Sequence, residues 1–391
     1  MSSPLVSAPI TADLLDGALE LETTAMGVLP HRLPARARAL ADPQLLGAEA
    51  CPAGVRLVFR TAATVVEVDG FRTTMAFLGM PPRPDGRYDL VVDGVLTDRQ
   101  CSSGGRAVVV DLVTGATETH DGPVGTVRFA DLPARDKDVE IWLPYHERTE
   151  LVDLRADAPV AAVPPRGRPV WVHHGSSISQ GSNAASPTTT WPALAAAAGR
   201  VDLVNLGFSG SMMLDPFVAR AIRDLPADLL SVEVGINIVG GDVMRRRAFA
   251  PAVHGFLDTL RDGHPTTPLL VVGPLLCPIY EDTPGPGAPD FTDGTVRFRA
   301  LGDPADVTDG PVGKLSLRAV RAELARIVAE RSPRDPRLHL LDGLALYGEA
   351  DAADHPLPDR LHPDAVTHRI VGERFAAHAF GPAGPFSAAP R

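Results

Sequence analysis

A few residues in the second half of the chain have the types that an acyl-transferring enzyme needs. Ser177 follows an apolar run and a glycine, Asn237 follows a later apolar run, and Asp359 precedes His362 by three residues. A serine hydroxyl becomes a nucleophile when a histidine takes its proton, and a carboxylate on the other ring nitrogen orients that histidine. We therefore interpret Ser177, His362 and Asp359 as a candidate catalytic set for covalent acyl transfer.

Acyl transfer also needs hydrogen-bond donors for the oxyanion of its tetrahedral intermediate. The backbone N–H groups of Ser177 and Gly210 and the side-chain amide of Asn237 are the candidates. Gly207 is an alternative to Gly210, which we prefer because it follows the strand by a few residues. Each of these residues alone has a simpler interpretation, as a helix cap, a turn or a permissive backbone position. Their value for the prediction lies in the set.

Three apolar residues flank the candidate oxyanion glycine, namely Phe208, Met212 and Met213. They fit the core packing of the following helix and equally an apolar wall for an acyl chain. The sequence leaves both interpretations open.

The elements that must position these residues are apolar strands alternating with helical patterns after residue 169. Strands are predicted at 170–174, 201–207, 227–235, 268–274 and 337–343. Apolar residues at three- and four-residue spacing predict helices around 249–260 and 317–327. Strands that are buried on both faces and separated by helices indicate a parallel, doubly wound sheet. Ligands of such sheets bind at the carboxyl ends of the strands, where the candidate residues lie.

The first 155 residues instead contain short strand patterns separated by glycine, proline and aspartate. This rhythm predicts an antiparallel β-sandwich of jelly-roll type. A stretch rich in proline and alanine follows. The predicted organisation is a β-sandwich domain over 1–155, a linker over 156–169 and a catalytic domain over 170–391.

In the order of these motifs the chain resembles the SGNH (GDSL-like) hydrolases, a family of esterases and acyl hydrolases. The resemblance covers roughly residues 170–380, and it implies a five-stranded flavodoxin-like sheet. It implies Ser177 as nucleophile, His362 as base, Asp359 as its orienter, and Gly210 and Asn237 as oxyanion donors. A β-sandwich before such a domain is similar to the arrangement of some carbohydrate acetyl esterases.

The sequence departs from the family pattern at two positions. Ser176 stands where the first block usually has aspartate, and Ile238 follows Asn237 where aspartate is frequent. We expect both changes to loosen the local hydrogen-bond network without touching a catalytic role.

Composition excludes several other function classes. The net charge of −11 argues against nucleic acid and anionic membranes as partners. Three widely spaced cysteines without a CxxC motif predict neither a disulfide framework nor a metal site, and no cofactor is expected. The N-terminal residues lack the basic and apolar regions of a signal peptide, which predicts a cytoplasmic location. The oligomeric state is left open between a monomer and a homo-oligomer.

The resulting prediction is a serine esterase that removes a short acyl group, such as acetyl, from a polar small molecule or sugar. The alternatives are an acyltransferase that uses the same residues and a binding module without catalysis. An α/β-hydrolase elbow is disfavoured because no G-x-S-x-G motif is present. His173 and His174 are expected to be packed, Cys277 to be a buried thiol, and 277–310 to be a lid, a binding loop or disordered.

Overall fold

The structure is a computed structural model that describes residues 4–79, 83–111, 114–164, 166–291 and 295–387. The chain forms two compact units. The first comprises Met1–Ala35, Leu46–Gly167 and Ser186–Thr188, and the second comprises Arg36–Leu45, Arg168–Ala185 and Thr189–Arg391. A ten-residue segment of the N-terminal third thus belongs to the second unit.

Before residue 168, the described part of the chain forms fourteen strands and two short helices. The strands are β1 (Val6–Ala8), β2 (Leu15–Asp16), β3 (Glu20–Thr23), β4 (Val28–His31), β5 (Arg56–Thr61), β6 (Val66–Phe77), β7 (Arg87–Val92), β8 (Val95–Cys101), β9 (Arg106–Val110), β10 (Thr117–Asp121), β11 (Gly125–Phe129), β12 (Lys137–Trp142), β13 (Arg148–Ala156) and β14 (Ala161–Ala162). The helices are α1 (Ala35–Arg38) and α2 (Pro43–Glu49), and a 3₁₀ turn lies at Ala12–Leu14.

These strands form two sheets that share one hydrophobic core, as the predicted β-sandwich requires. One sheet has the order β10-β9-β6-β13-β4-β3, with β1 on β13 and β11 on β6. The other has the order β14-β5-β12-β7-β8, with β2 on β5. Their apolar faces meet in a core that includes Phe59, Val68, Ile141 and Leu154. Among the described residues, β6 and β9 form a parallel pair and the other pairs of these two sheets are antiparallel. Strand β11 pairs with residues 66–70 of β6, and β9 pairs with residues 73–77.

Part of the segment predicted as a linker over 156–169 has strand structure. Ala156 is the last residue of β13, and Ala161 and Ala162 form β14, which pairs with β5. The proline-rich stretch therefore continues the sandwich before the chain enters the second unit at Arg168.

From Arg168 onward, the described residues form seven strands and eight α-helices. The strands are β15 (Val170–Gly175), β16 (Asp202–Gly207), β17 (Leu229–Glu233), β18 (Leu269–Val272), β19 (Gly287–Asp290), β20 (Arg297–Ala300) and β21 (Leu338–Leu341). The helices are α3 (Ser177–Gln180), α4 (Trp191–Gly199), α5 (Pro216–Arg223), α6 (Ile236–Gly240), α7 (Arg246–Gly263), α8 (Leu317–Arg331), α9 (Glu349–Asp354) and α10 (Ala365–Phe380).

Five of these strands form the parallel sheet that the sequence predicts, in the order β16-β15-β17-β18-β21. Side chains that alternate along β15 contact helices on both faces of this sheet. Trp171 stacks on Phe375 of α10, whereas His174 stacks on Phe256 of α7. The sheet is therefore doubly wound in the flavodoxin-like order. The strand order reverses beside β15, so the residues that follow β15 lie where such folds bind ligands.

The long stretch over 277–310 has regular structure of its own. It contains the antiparallel hairpin β19–β20 and a 3₁₀ turn at Pro304–Asp306, while residues 292–294 lie outside the described part. No helix in the described residues combines the length and the apolar character that crossing a bilayer would require.

Candidate active site

Ser177 lies on a tight turn between β15 and the short helix α3. Ser176 is the N-cap of this helix, and its Oγ accepts the N–H of Ile178 at 3.2 Å. Ser177 is the first helical residue and only 7% of its surface is exposed. The turn thus presents one serine to the edge of the sheet and uses the other to begin the helix.

Two glycines let α3 lie directly on the ends of β15 and β16. A Cβ on Gly175 would lie 2.3 Å from Ser179 Oγ, and a Cβ on Gly207 would lie 2.4 Å from the backbone nitrogen of Gln180. The side-chain amide of Asn205 donates to the carbonyl of Ser179 at 2.9 Å. We call residues 175–179, which carry the candidate nucleophile Ser177, the nucleophile turn. These contacts fix its position on the sheet.

Ser177, His362 and Asp359 form one hydrogen-bonded chain. Ser177 Oγ lies 2.9 Å from His362 Nε2, and His362 Nδ1 lies 2.7 Å from Asp359 Oδ2. An ionised carboxylate only accepts hydrogen bonds, so Nδ1 carries the proton and Nε2 is left to accept from Ser177. In the sequence, only the order of the motifs relates these residues. In the structure, Ser177 and His362 are in contact although they are 185 positions apart in the chain.

The Asp359 carboxylate also organises the loop that carries His362. Its Oδ1 accepts the backbone N–H groups of Leu361 at 2.9 Å and of His362 at 2.6 Å. Burial acts to raise the pKa of Asp359, but the hydrogen bond and charge of His362 and the two N–H groups outweigh it and lower the pKa. Asp359 therefore remains ionised at neutral pH.

The loop between α9 and α10 is supported by the β19–β20 hairpin. Phe298 of β20 donates its backbone N–H to the carbonyl of Asp359 at 2.9 Å, and its ring lies edge-on to His362 with 5.7 Å between centroids. Cys277 Sγ contacts the carbonyl of Arg360 at 3.4 Å. Cys277 is 2% exposed, as expected of a packed thiol, and burial raises its pKa to about 12.

The candidate oxyanion donors are all available. Asn237 lies at the start of α6, and its Oδ1 accepts the N–H of Met212 at 3.1 Å, which turns its Nδ2 away from that contact. Within the described part of the chain, the backbone N–H groups of Ser177 and Gly210 donate to no protein acceptor. These donors are free to bind a developing oxyanion.

The structure also distinguishes Gly210 from its alternative Gly207. The N–H of Gly207 donates to Asn205 Oδ1 at 2.8 Å and is thereby occupied. Gly210 has a φ of +69°, a conformation that favours glycine, and its loop is tied to α3 by a 2.9 Å bond from Ser209 N–H to Gln180 Oε1. The geometry favours Gly210.

The suggested acyl pocket needs correction. Phe208 and Met212 are buried with 0% and 1% of their surface exposed, and Phe208 packs on His174 at 5.6 Å between ring centroids. Core packing is therefore the interpretation that the structure supports for these two residues. Met213 is half-buried and remains a prediction.

The two histidines at the end of β15 are packed in the core, as expected. His173 and His174 are 0% and 1% exposed. The expectation of a looser network at Ser176 is wrong, because its N–H donates to a carboxyl oxygen of Glu233 at 2.9 Å. Glu233 was not identified from the sequence. The feature that could have identified it is a carboxyl residue at the end of an otherwise apolar strand.

The described residues contain no group of three or more histidine, cysteine, aspartate or glutamate side chains arranged to hold a metal ion.

Both parts of the chain are similar to known protein families. Residues 168–275 match the GDSL-like lipase/acylhydrolase family, and residues 14–151 match the N-terminal domain of SsfX3. The second unit is thus similar to the GDSL-like lipase/acylhydrolase family over the matched residues. The whole chain also resembles solved structures along nearly all of its length.

One such structure is the salicylyl-acyltransferase SsfX3 from a tetracycline biosynthetic pathway, at 28% identity and a TM-score of 0.70 over 95% of both chains. A family two carbohydrate esterase from Clostridium thermocellum has 13% identity and a TM-score of 0.54, covering 83% of this chain and 91% of its own. An acetyl xylan esterase from Butyrivibrio proteoclasticus has 11% identity and a TM-score of 0.54, covering 99% and 100%. The two esterases share the fold with this GDSL-like protein. No curated protein sequence matches the chain.

Proposed function

We propose that this GDSL-like protein is a serine esterase that removes a short acyl group from a polar small molecule through an acyl-Ser177 intermediate. The observation that carries the proposal is the hydrogen-bonded chain from Ser177 Oγ through His362 to Asp359, at 2.9 Å and 2.7 Å. Both distances lie within the range for proton transfer between a nucleophile, its base and the group that orients the base.

In the first half of the reaction, Ser177 Oγ attacks the carbonyl carbon of the ester while its proton passes to His362 Nε2. The carbonyl oxygen becomes an oxyanion and accepts from the N–H groups of Ser177 and Gly210 and from Asn237 Nδ2. Asp359 stabilises the imidazolium that forms. Collapse of the intermediate breaks the ester bond, and the leaving alcohol takes the proton from His362.

In the second half, a water molecule gives its proton to His362 and attacks the acyl carbon. The second tetrahedral intermediate uses the same donors, and Ser177 regains its proton when the acid leaves. No group beyond these residues is required to balance either step.

The second candidate is an acyltransferase, in which a hydroxyl of an organic acceptor replaces water in the second half. It is supported by the 28% identity to the salicylyl-acyltransferase SsfX3 over 95% of both chains and by the match of 14–151 to the SsfX3 N-terminal domain. The acyl-enzyme is common to both candidates, which differ only in the nucleophile that attacks it.

Hydrolysis of p-nitrophenyl acetate by the wild type and by Ser177→Ala tests the proposal. We expect a loss on the order of 10⁶ in kcat for Ser177→Ala, because a nucleophile and its base act as a unit. Turnover that survives this substitution would contradict the proposal. Competition between water and a panel of sugar and phenolic hydroxyls then separates the two candidates, since a transferase yields new esters and an esterase yields free acid.

A further inference from the structure

A buried carboxyl lies directly beneath the nucleophile turn. Glu233 is the last residue of β17 and is 1% exposed. Its Oε2 accepts the N–H of Ser176 at 2.9 Å and the hydroxyl of Ser179 at 3.3 Å. These two residues stand immediately before and two positions after Ser177, so one oxygen atom holds both sides of the turn.

The Ser179 hydroxyl is held in turn by a row of buried groups. It lies 2.8 Å from His173 Nε2, and His173 Nδ1 lies 2.7 Å from Ser231 Oγ, which accepts Trp171 Nε1–H at 2.8 Å. Burial lowers the pKa of His173 to about 3, so this ring is neutral and donates from one nitrogen only.

Only one direction of donation along this row uses every proton. The indole of Trp171 can only donate, so Ser231 Oγ accepts from it. The Ser231 hydroxyl in turn donates a hydrogen bond to His173 Nδ1. His173 Nε2–H then donates to Ser179, whose hydroxyl proton is left for Glu233. The row therefore ends on Glu233 as an acceptor, which is the role that Oε2 also has toward Ser176.

The second carboxyl oxygen has a different environment. Glu233 Oε1 is buried without a hydrogen-bond partner among the described residues, and Glu233 lines a cavity of about 10 Å³ whose other walls are mostly apolar. Among the described residues, the groups that act on the carboxyl are Ser176 and Ser179, and neither is cationic. An unpaired buried charge is costly, so these surroundings favour a neutral group. Burial accordingly raises the pKa of Glu233, although the hydrogen bonds from Ser176 and Ser179 act to lower it.

From this geometry we infer that Glu233 is a positioning residue, whose Oε2 acts as a hydrogen-bond acceptor that fixes Ser176 and Ser179 and so aims Ser177 Oγ at His362. The inference rests on the proposed role of Ser177. The negative charge of Glu233 is not required for this role, so an amide of the same shape fulfils it.

The test compares Glu233→Ala, Glu233→Gln and the wild type. The second-order rate constant for phosphonylation by a fluorophosphonate reports the alignment of the serine without any knowledge of the natural substrate. Kinetic constants for p-nitrophenyl acetate give the split between kcat and KM. Glu49→Gln is the matched control, since Glu49 is equally buried at 1% exposed and lies in the other unit.

For Glu233→Ala we expect phosphonylation and kcat to fall by about 10- to 100-fold with KM within about twofold, because small misplacements of a reacting group have effects of this size. Glu233→Gln recovers the rate to within about threefold of the wild type, with an unchanged pH profile of kcat/KM, because only the acceptor is needed. Glu49→Gln leaves both rates unchanged.

A second variant guards against misfolding of Glu233→Ala. Ser179→Ala keeps the carboxyl and removes one partner of Oε2, and we expect a three- to tenfold loss, roughly the value of one hydrogen bond. A folded Glu233→Ala with the wild-type rate, or a Glu233→Gln as slow as Glu233→Ala, would overturn the inference. Failure of the proposed function gives a different result, namely phosphonylation that persists in Ser177→Ala.

Discussion

Replacing Asp359 by asparagine tests how the catalytic loop sets the protonation of its histidine. Asp359 accepts four hydrogen bonds, two at Oδ1 from backbone N–H groups and two at Oδ2, one from His362 Nδ1 and one from Asn183 Nδ2 at 3.4 Å. In the variant, the amide oxygen keeps the two backbone N–H groups and the NH₂ group faces His362. The opposite orientation would set NH₂ against two backbone donors, at a cost of about 1–3 kcal/mol for each unsatisfied group.

Facing an NH₂ donor, His362 moves its proton to Nε2 so that Nδ1 can accept. Nε2 then points a hydrogen at Ser177 and cannot take the serine proton. Loss of the correct tautomer lowers kcat by about 10⁴, which corresponds to about 5.5 kcal/mol. The fold is retained because both loop N–H groups keep their acceptor.

The assay is steady-state hydrolysis of p-nitrophenyl acetate together with the thermal midpoint from circular dichroism. Asp354→Asn is the matched control, because Asp354 is exposed and precedes His355 without the three-residue spacing. We expect the control to have wild-type kcat and both variants to melt as the wild type does. A folded Asp359→Asn that keeps more than a tenth of kcat would refute the role of Asp359 as the group that orients His362.

Three further predictions concern the oxyanion donors and the buried histidines. Asn237→Ala should lower kcat by about 10²–10³ with little change in KM, because the donor acts on charge formed in the transition state; an effect on KM alone would contradict this role. Gly210→Ala should lower both the melting temperature and kcat, because φ is +69° and the new Cβ would lie 1.9 Å from Gln44 Nε2 of the same unit. Adding Gln44→Ala should restore part of that stability, and no restoration would mean that Gln44 is not the obstacle. Burial lowers the pKa of His173 to about 3 and of His368 to about 4. Between pH 4 and about 6.5 the unfolded chain therefore binds more protons, and the free energy of unfolding should fall as pH falls by up to about 1.4 kcal/mol per pH unit for each histidine. Urea titrations at pH 7 and pH 5 measure this, and His368→Gln should show the smaller loss; equal losses would contradict the assignment.

The catalytic domain could be predicted from the sequence because its strands are buried on both faces. Such strands are continuous apolar runs, and all five were placed within two residues of their observed starts. The carboxyl ends of parallel strands lie at the same edge of a sheet. Because Ser177, Gly210 and Asn237 each follow such a strand, they could be predicted to lie at that edge.

The sandwich was harder to predict because charged pairs conceal its strands. Strand β13 contains Arg155, which forms hydrogen-bonded ion pairs with Glu67 and Asp69 of β6. A central strand with alternating charges has the pattern of a loop until its partner strand is known. For the same reason the predicted linker began too early, inside β13.

The burial of residues outside the regular apolar strands, and the partners of their hydrogen bonds, could not be predicted from the sequence. Phe208 and Met212 are residue types that often line apolar pockets, but here they lie in the core. Glutamate is usually a surface residue, but Glu233 is buried beneath the nucleophile turn. Whether such a residue is buried depends on contacts between segments that are far apart in the chain. Hydrophobic periodicity along the sequence does not encode these contacts.

The most direct test of the account is to locate the covalent adduct formed by a fluorophosphonate, using peptide mapping by mass spectrometry on the full chain. The reagent requires an activated serine, and the turn offers Ser176, Ser177 and Ser179 within four residues. We expect a single adduct on Ser177 and none after denaturation in urea. An adduct on Ser176 or Ser179, or no adduct on the folded protein, would contradict it.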